Sequence, residues 1–240
     1  MHRTHLFLVL ILLSAVLAML PSMAPDLPTV LLYIFKPLTT ILIMAWAWPR
    51  GRDQVTRWRW IMLGLLASLG GDVALLWPQE GFVPGLVSFL AAHLLYIAAF
   101  TVTARFAQRW EPFALYGAVA LAILSLLWSG VPQALQIPVL AYVACLACMA
   151  SQGLVWAMKE THFSQQHQTS GPAALAALKL VIAPGLREAR MAAAGGAVFL
   201  LSDALLATDR FYAPLPQATM WVFSTYWLAQ CLIVGCLRRS

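Results

Sequence analysis

Residues 65–77 read LLASLGGDVALLW and residues 195–209 read GGAVFLLSDALLATD. Each is apolar enough to cross a bilayer, yet each carries an aspartate, Asp72 and Asp203, within the apolar run. A carboxylate held inside a membrane costs roughly 2.5–3.5 kcal/mol even on insertion scales, so such a residue marks a functional site by default. Lys36, in IFKPLTT, and His93, in FLAAHLLYI, stand in similar surroundings.

The remainder of the chain fixes the class. Its 240 residues are 62% apolar and only 10% charged, with a mean hydropathy of +0.80. Soluble domains are about 25% charged, so the chain reads as an all-α integral membrane protein. A span takes about 20 apolar residues, and eight are predicted: 6–20, 29–48, 58–77, 84–104, 112–128, 133–158, 191–209 and 217–237. Most connections are short and punctuated by Pro, Gly or charge. The spans leave no room for a soluble domain, so residues 1–240 read as a single transmembrane helical domain.

Charge placement supports this topology. With the two sides numbered alternately, one side collects Arg3, Arg50, Arg52, Arg57, Arg59, Arg105, Arg109, Lys159, Lys179, Arg187, Arg190, Arg238 and Arg239. Of the 15 Lys and Arg residues, Arg210 alone falls on the other side and Lys36 within a span. The positive-inside rule then predicts both termini to be cytoplasmic, in a bacterial inner (cell) membrane. The net charge of +6 is topogenic and calls for no nucleic acid. Nothing in the sequence specifies an oligomeric state.

The first residues, MHRTH followed by an apolar run and Ser22-Met23-Ala24, have the outline of a cleavable signal. Because further spans follow directly, a retained first helix is the simpler reading. The one long connection is 159–190. There, His162 to Ser170 is expected to be loop, and Pro172 to Ile182 a short surface helix or an interfacial, re-entrant one. Cys145, Cys148, Cys231 and Cys236 all fall within spans and read as small packing residues, with no disulfide framework.

Depth relates the polar groups to one another. Counted from the span ends, Lys36, Asp72, His93 and Asp203 all lie roughly 7–14 Å below the boundary opposite the basic side, at 1.5 Å per residue. Four groups on four helices at one depth predict one polar pocket. Pro37 interrupts the hydrogen bonding of its helix beside Lys36. Gly70, Gly71, Gly195 and Gly196 would let helices approach closely near the aspartates. Tyr96 lies one turn from His93 on the same face, and Tyr226 and Gln230 share a face of the last span. Ser202 adjoins Asp203. Asp209 and Arg210 fall at the boundary and read as solvated. GDVALL and SDALLA, and AHLL and AQCL, echo each other at offsets compatible with a four-plus-four duplication.

Other readings compete. An intramembrane Asp can pair with Lys36 simply to hold the bundle together. Embedded Asp, Lys and His also suit a proton-coupled transporter of a small or lipid-like solute. A catalytic zinc usually takes three protein ligands, often histidine, and only His93 lies in a span, so no metal site and no cofactor are expected. No G-x-S-x-G setting surrounds Ser202.

Taken in order, Phe35-Lys36-Pro37-Leu38, Gly71-Asp72-Val73-Ala74-Leu75-Leu76, Ser88-Phe89 through His93 to Tyr96, Ser202-Asp203-Ala204-Leu205, and Tyr226 with Gln230 resemble the recurring motifs of the YhhN-like lysoplasmalogenase family. Each motif is weak alone, but together they run through nearly the whole chain. The resemblance implies hydrolysis of the sn-1 vinyl ether bond of a lysophospholipid, the lysoplasmalogen, to a fatty aldehyde and a glycerophospho-alcohol. It also implies that Asp72 and Asp203 are the catalytic pair.

That chemistry suits these residues. A vinyl ether is hydrolysed by protonation of its outer carbon, which gives an oxocarbenium ion that water traps; the hemiacetal then collapses. The reaction needs a proton donor and a base for water, and two neighbouring carboxyl groups can share one proton and divide these roles. A carboxylate also stabilises the cation electrostatically. On this reading Lys36 binds the phosphate or tunes an aspartate. His93, Tyr96, Ser202, Tyr226 and Gln230 contact the substrate, orienting water and the glycerol end.

Overall fold

The computed structural model describes residues 2–24, 26–166 and 172–238, with side chains described for 5–24, 26–165 and 185–238. The described residues form an all-α bundle: α1 (His2–Met23), α2 (Val30–Ala47), α3 (Val55–Ala74), α4 (Phe82–Thr101), α5 (Glu111–Leu127), α6 (Gln133–Gln166), α7 (Pro172–Phe211) and α8 (Ala218–Gly235). A 3-10 turn at Trp128–Gly130 closes α5. Seven of the helices are long and apolar enough to cross a membrane. The remaining one, α3, carries Arg57, Arg59 and Asp72, and packs along α4 within the bundle.

The connection 159–190 departs from expectation. Residues 161–166 continue α6, which reaches 34 residues, and Pro172 to Ile182 is no separate short helix but the start of the 40-residue α7. At 1.5 Å per residue these helices are about 51 and 60 Å long, longer than the roughly 30 Å hydrocarbon layer. The added turns carry Lys159, Lys179, Arg187 and Arg190, which the predicted topology assigns to the basic side, where a helix need not be apolar. The part of the predicted loop at 167–170 lies outside the described residues.

Close contacts follow the small residues. A Cβ on Gly71 would stand 2.5 Å from the Phe89 ring, and one on Gly196 would stand 2.8 Å from Cα of Ala150. The bare backbone therefore lets α3 meet α4, and α7 meet α6, at a separation no larger residue permits. In α2, Pro37 removes one backbone donor. The carbonyl of Phe35 beside it accepts from Thr39 Oγ1 at 2.7 Å and from Ser14 Oγ of α1 at 3.2 Å, tying α1 to α2.

The basic side is closed by paired charges. Buried Arg57 donates to Gln54 at 2.8 Å, to the Ala99 carbonyl and to Thr103, and its guanidinium stacks 4.1 Å over the Trp156 ring. Buried Glu188 accepts from Arg238 at 2.9 Å and Gln54 at 3.2 Å, with Arg57 3.9 Å away. These contacts join α3, α7 and the segment after α8. The four cysteines are free thiols.

Candidate functional site

Asp72 sits two residues before the end of α3 and is 1% exposed. Its Oδ2 accepts from Thr40 Oγ1 of α2 at 2.5 Å and from the Tyr226 hydroxyl of α8 at 2.9 Å. Thr40 follows Lys36 by four residues, so α2 presents both on one face. Asp203, half-buried on α7, accepts through Oδ2 from the Tyr142 hydroxyl of α6 at 2.5 Å.

Both aspartates line one cavity of about 330 Å³. Lys36, Tyr142, Ser202 and Tyr226 also line it. Most of the other lining is apolar: Leu86 and Phe89 from α4, Ile123 and Leu124 from α5, Val143 and Leu146 from α6. Lys36 is buried, with its ammonium 5.2 Å from the centroid of Phe223, and makes no direct ion pair among the described residues. The pairing with Asp72 that a purely structural role would call for is therefore not a direct one.

Of the residues singled out from sequence, Lys36, Asp72, Ser202, Asp203 and Tyr226 come together at this cavity. Ser202 lines it but commits its hydroxyl to the Val222 carbonyl at 3.1 Å, which links α7 to α8. His93, Tyr96 and Gln230 do not line it; they form a fully buried layer behind its wall. There the Tyr96 hydroxyl donates to Gln230 Oε1 at 2.7 Å, while Gln230 Nε2 and both ring nitrogens of His93 have no partner. His93 packs edge-on against Phe199 and Tyr142, with ring centroids 4.7 and 5.2 Å away. Bulky rings thus separate His93 from the cavity, so its link to Asp203 runs through Tyr142.

Sequence reading missed Thr40, Tyr142 and Arg210. The first was signalled by its one-turn spacing from Lys36. Tyr142 was signalled only by being a polar-tipped ring in the middle of span six. Arg210, read as solvated, is exposed but also lines the cavity, with its guanidinium carbon 4.0 Å over the Phe82 ring. Asp209 beside it accepts from the backbone N–H of Leu215 at 2.8 Å and so fastens the α7–α8 turn. Among the described residues no group of three His, Cys, Asp or Glu side chains is placed to hold a metal ion.

In chemical terms the site joins an apolar chamber to a pole of two carboxyl groups, one ammonium and two phenols. Such a chamber can accept an amphiphile and carry out acid–base chemistry where apolar and polar parts meet.

The chain as a whole is similar to known proteins. The chain is 28% identical over 208 residues to lysoplasmalogenase TMEM86B of Mus musculus, covering 85% of this chain and 74% of that protein. It is 33% identical over 183 residues to lysoplasmalogenase TMEM86B of Sus scrofa, covering 73% and 62%, and 33% identical over 100 residues to the uncharacterized membrane protein YhhN of Escherichia coli O157:H7, covering 40% and 48%. The chain therefore spans between about half and three quarters of the length of these relatives. No solved structure is significantly similar to it. The model of the YhhN family matches residues 31–237, a stretch that takes in both aspartates and every helix lining the cavity, and the chain belongs to that family.

Proposed function

We propose that this protein is a membrane hydrolase that cleaves the sn-1 vinyl ether bond of lysoplasmalogens, releasing a fatty aldehyde and a glycerophospho-alcohol. The observation that carries the reading is the meeting of Asp72 and Asp203, from separate helices, at one largely apolar cavity. Relatives named lysoplasmalogenase at 28–33% identity support the substrate class.

In this scheme the fatty chain lies along the apolar wall and the vinyl ether reaches the carboxyl groups. One aspartic acid protonates the outer vinyl carbon. Its partner, as carboxylate, faces the oxocarbenium ion and takes a proton from the water that traps it. The hemiacetal then collapses: its hydroxyl proton passes to the carboxylate while the protonated partner gives its proton to the glycerol oxygen, which leaves as an alcohol, and the pair again holds one proton. Thr40 and Tyr226 hold Asp72 in place, and Tyr142 holds Asp203. Lys36 contributes a positive charge at the same pole. His93, Tyr96 and Gln230 act from behind the wall by fixing the phenols. The protein lies in the cell membrane, that of a bacterium on our reading, with α3 as an eighth span and both termini on the cytoplasmic, basic side.

The test is direct. Purified protein is incubated with a lysoplasmalogen and with its saturated ether analogue, and fatty aldehyde is measured by mass spectrometry. Aldehyde is expected from the vinyl ether alone and is lost in Asp72→Asn and Asp203→Asn. Aldehyde at the wild-type rate from both variants would refute the carboxylate scheme. None from folded wild-type protein would refute the activity, and substrate-dependent proton flux in proteoliposomes would then favour a carrier.

A further inference from the structure

Arg210 stands out against the charge pattern of the chain. Of the 15 Lys and Arg residues it is the one that the predicted topology assigns to the end opposite the basic face, where cationic residues are selected against. It makes no ion pair among the described residues, although an aspartate adjoins it in sequence; Asp209 is instead engaged with the Leu215 backbone. Its guanidinium is stacked over Phe82, and Phe82 in turn packs edge-on against Phe211 at 5.9 Å. Arg210, Phe82 and Phe211 all line the cavity that holds the two aspartates.

The register along α7 relates this cation to the chemistry. Arg210 follows Asp203 by seven residues, two helical turns, and so points from nearly the same face about 10 Å further along the axis. Leu206 and Ala207, at the intermediate positions of that face, line the cavity between them. A lysophospholipid has a matching layout. Its ether oxygen and its phosphate are separated only by the three glycerol carbons and one ester oxygen, a span that an extended arginine side chain can close. The other direction from the carboxyl pole is the apolar wall of α5 and α6, which suits the hydrocarbon chain.

We infer that Arg210 is the phosphate seat of this cavity, binding the phosphodiester of a lysophospholipid at the rim while the ether bond rests at Asp72 and Asp203. This rests on reading the cavity as a lysophospholipid site. The planar guanidinium matches phosphate oxygens in a two-pronged fashion, and its stacking on Phe82 holds it in place before the lipid arrives. Arg210 itself is exposed, so the head-group alcohol beyond the phosphate lies in water. The phosphate is thereby required and the alcohol weakly discriminated. Lys36, two helices away on the Phe223 side, is left to the carboxyl pole.

The experiment compares two non-hydrolysable probes, a 1-alkyl-glycerophosphocholine and the corresponding 1-alkylglycerol, binding to the detergent-solubilised full chain by calorimetry. Wild-type protein should prefer the phosphate-bearing probe, and Arg210→Gln should reduce that preference about tenfold, as the loss of a charge-assisted pair predicts. Arg210→Lys should restore part of it. On the vinyl ether substrate the Arg210→Gln loss should fall on KM rather than kcat. A preference unchanged in Arg210→Gln, both affinities falling together, or a preference lost instead in Lys36→Gln, would each overturn the assignment. Excess inorganic phosphate displacing the lipid as well as unlabelled lipid does would show a free-anion site and overturn the lipid reading. If wild-type protein releases no aldehyde yet shows the Arg210-dependent preference, the hydrolase reading fails and the phosphate seat stands.

Discussion

Replacing Tyr142 by Phe isolates one oxygen atom. The hydroxyl donates to Oδ2 of Asp203 at 2.5 Å, and it is the one hydrogen bond to that carboxyl group among the described residues. The ring, 8% exposed, keeps its edge contact with His93 at 5.2 Å whether or not the hydroxyl is present. The substitution therefore removes a hydrogen bond to an ionisable group and creates almost no void. A hydrogen bond to a charged partner contributes about 1.5–3 kcal/mol. If the bond fixes the aspartate for proton transfer, its loss raises the barrier by that amount, and each 1.36 kcal/mol is about tenfold in rate. Tyr142→Phe should thus lower kcat for aldehyde release roughly 10- to 150-fold with little change in KM. The thermal midpoint in detergent should stay near that of the wild type, because the cavity already supplies room for water at the vacated position. A kcat within twofold of wild type in a folded variant would show that Asp203 needs no positioning by α6, and would refute the reasoning.

Three other outcomes are expected. Gly196→Val brings side-chain atoms against the Ala150 backbone, where a Cβ alone stands 2.8 Å from Cα. Overpacking of this kind costs about 1–3 kcal/mol and should appear as a lowered thermal midpoint, whereas a midpoint at or above wild type would mean that α6 and α7 can separate freely. Glu188→Ala leaves buried Arg57 without its carboxylate partner and releases Arg238. It should destabilise the fold by about 3 kcal/mol, the low end for breaking a buried pair, and an unchanged unfolding curve would count against the charge clamp. Strong chelators should leave aldehyde release unaffected, since no three metal-ligating side chains converge among the described residues; inhibition reversed by added zinc would overturn this.

The sequence made the helices legible because lipid exposure imposes a composition that water does not. Where that constraint ends, so did legibility. In the stretch 159–190 the polar run His162 to Ser170 reads as loop and the apolar Pro172 to Ile182 as a separate short helix, yet α6 continues through 166 and α7 starts at Pro172 and runs on without a break. A solvated helix outside the bilayer carries no hydropathy signature, and its polar residues resemble those of a loop. The site divided along similar lines. Asp72, Asp203 and Lys36 were visible because charge within a span is costly. Tyr142 was not, because a tyrosine within a span incurs little penalty and its role depends on which helix faces α7. Arg210 reads as solvated from its place at the boundary and is indeed exposed, but its two-turn spacing from Asp203 also puts it on the cavity face.

The two ends of the bundle treat their charges differently, and the difference bears on whether the intramembrane groups are structural. At the basic end the chain satisfies its buried charges directly: Arg57 and Arg238 share Glu188, Gln54 bridges Arg57 and Glu188, and Arg57 also stacks on Trp156. This sequence can therefore build a neutralising cluster where only stability is at stake. At the cavity end it does not. Lys36, Asp72, Asp203 and Arg210 face one chamber without a direct ion pair among the described residues, and their carboxyl groups are held by hydroxyls. Leaving such groups unpaired in a low-dielectric setting costs stability. A bundle that needed only a polar staple would gain by closing Lys36 onto Asp72. Hydroxyl donors fix the position of a carboxyl group without neutralising its charge, so it stays available to a proton and to a developing cation. That is the arrangement acid–base work requires, and local violations of good packing are expected to concentrate where function resides.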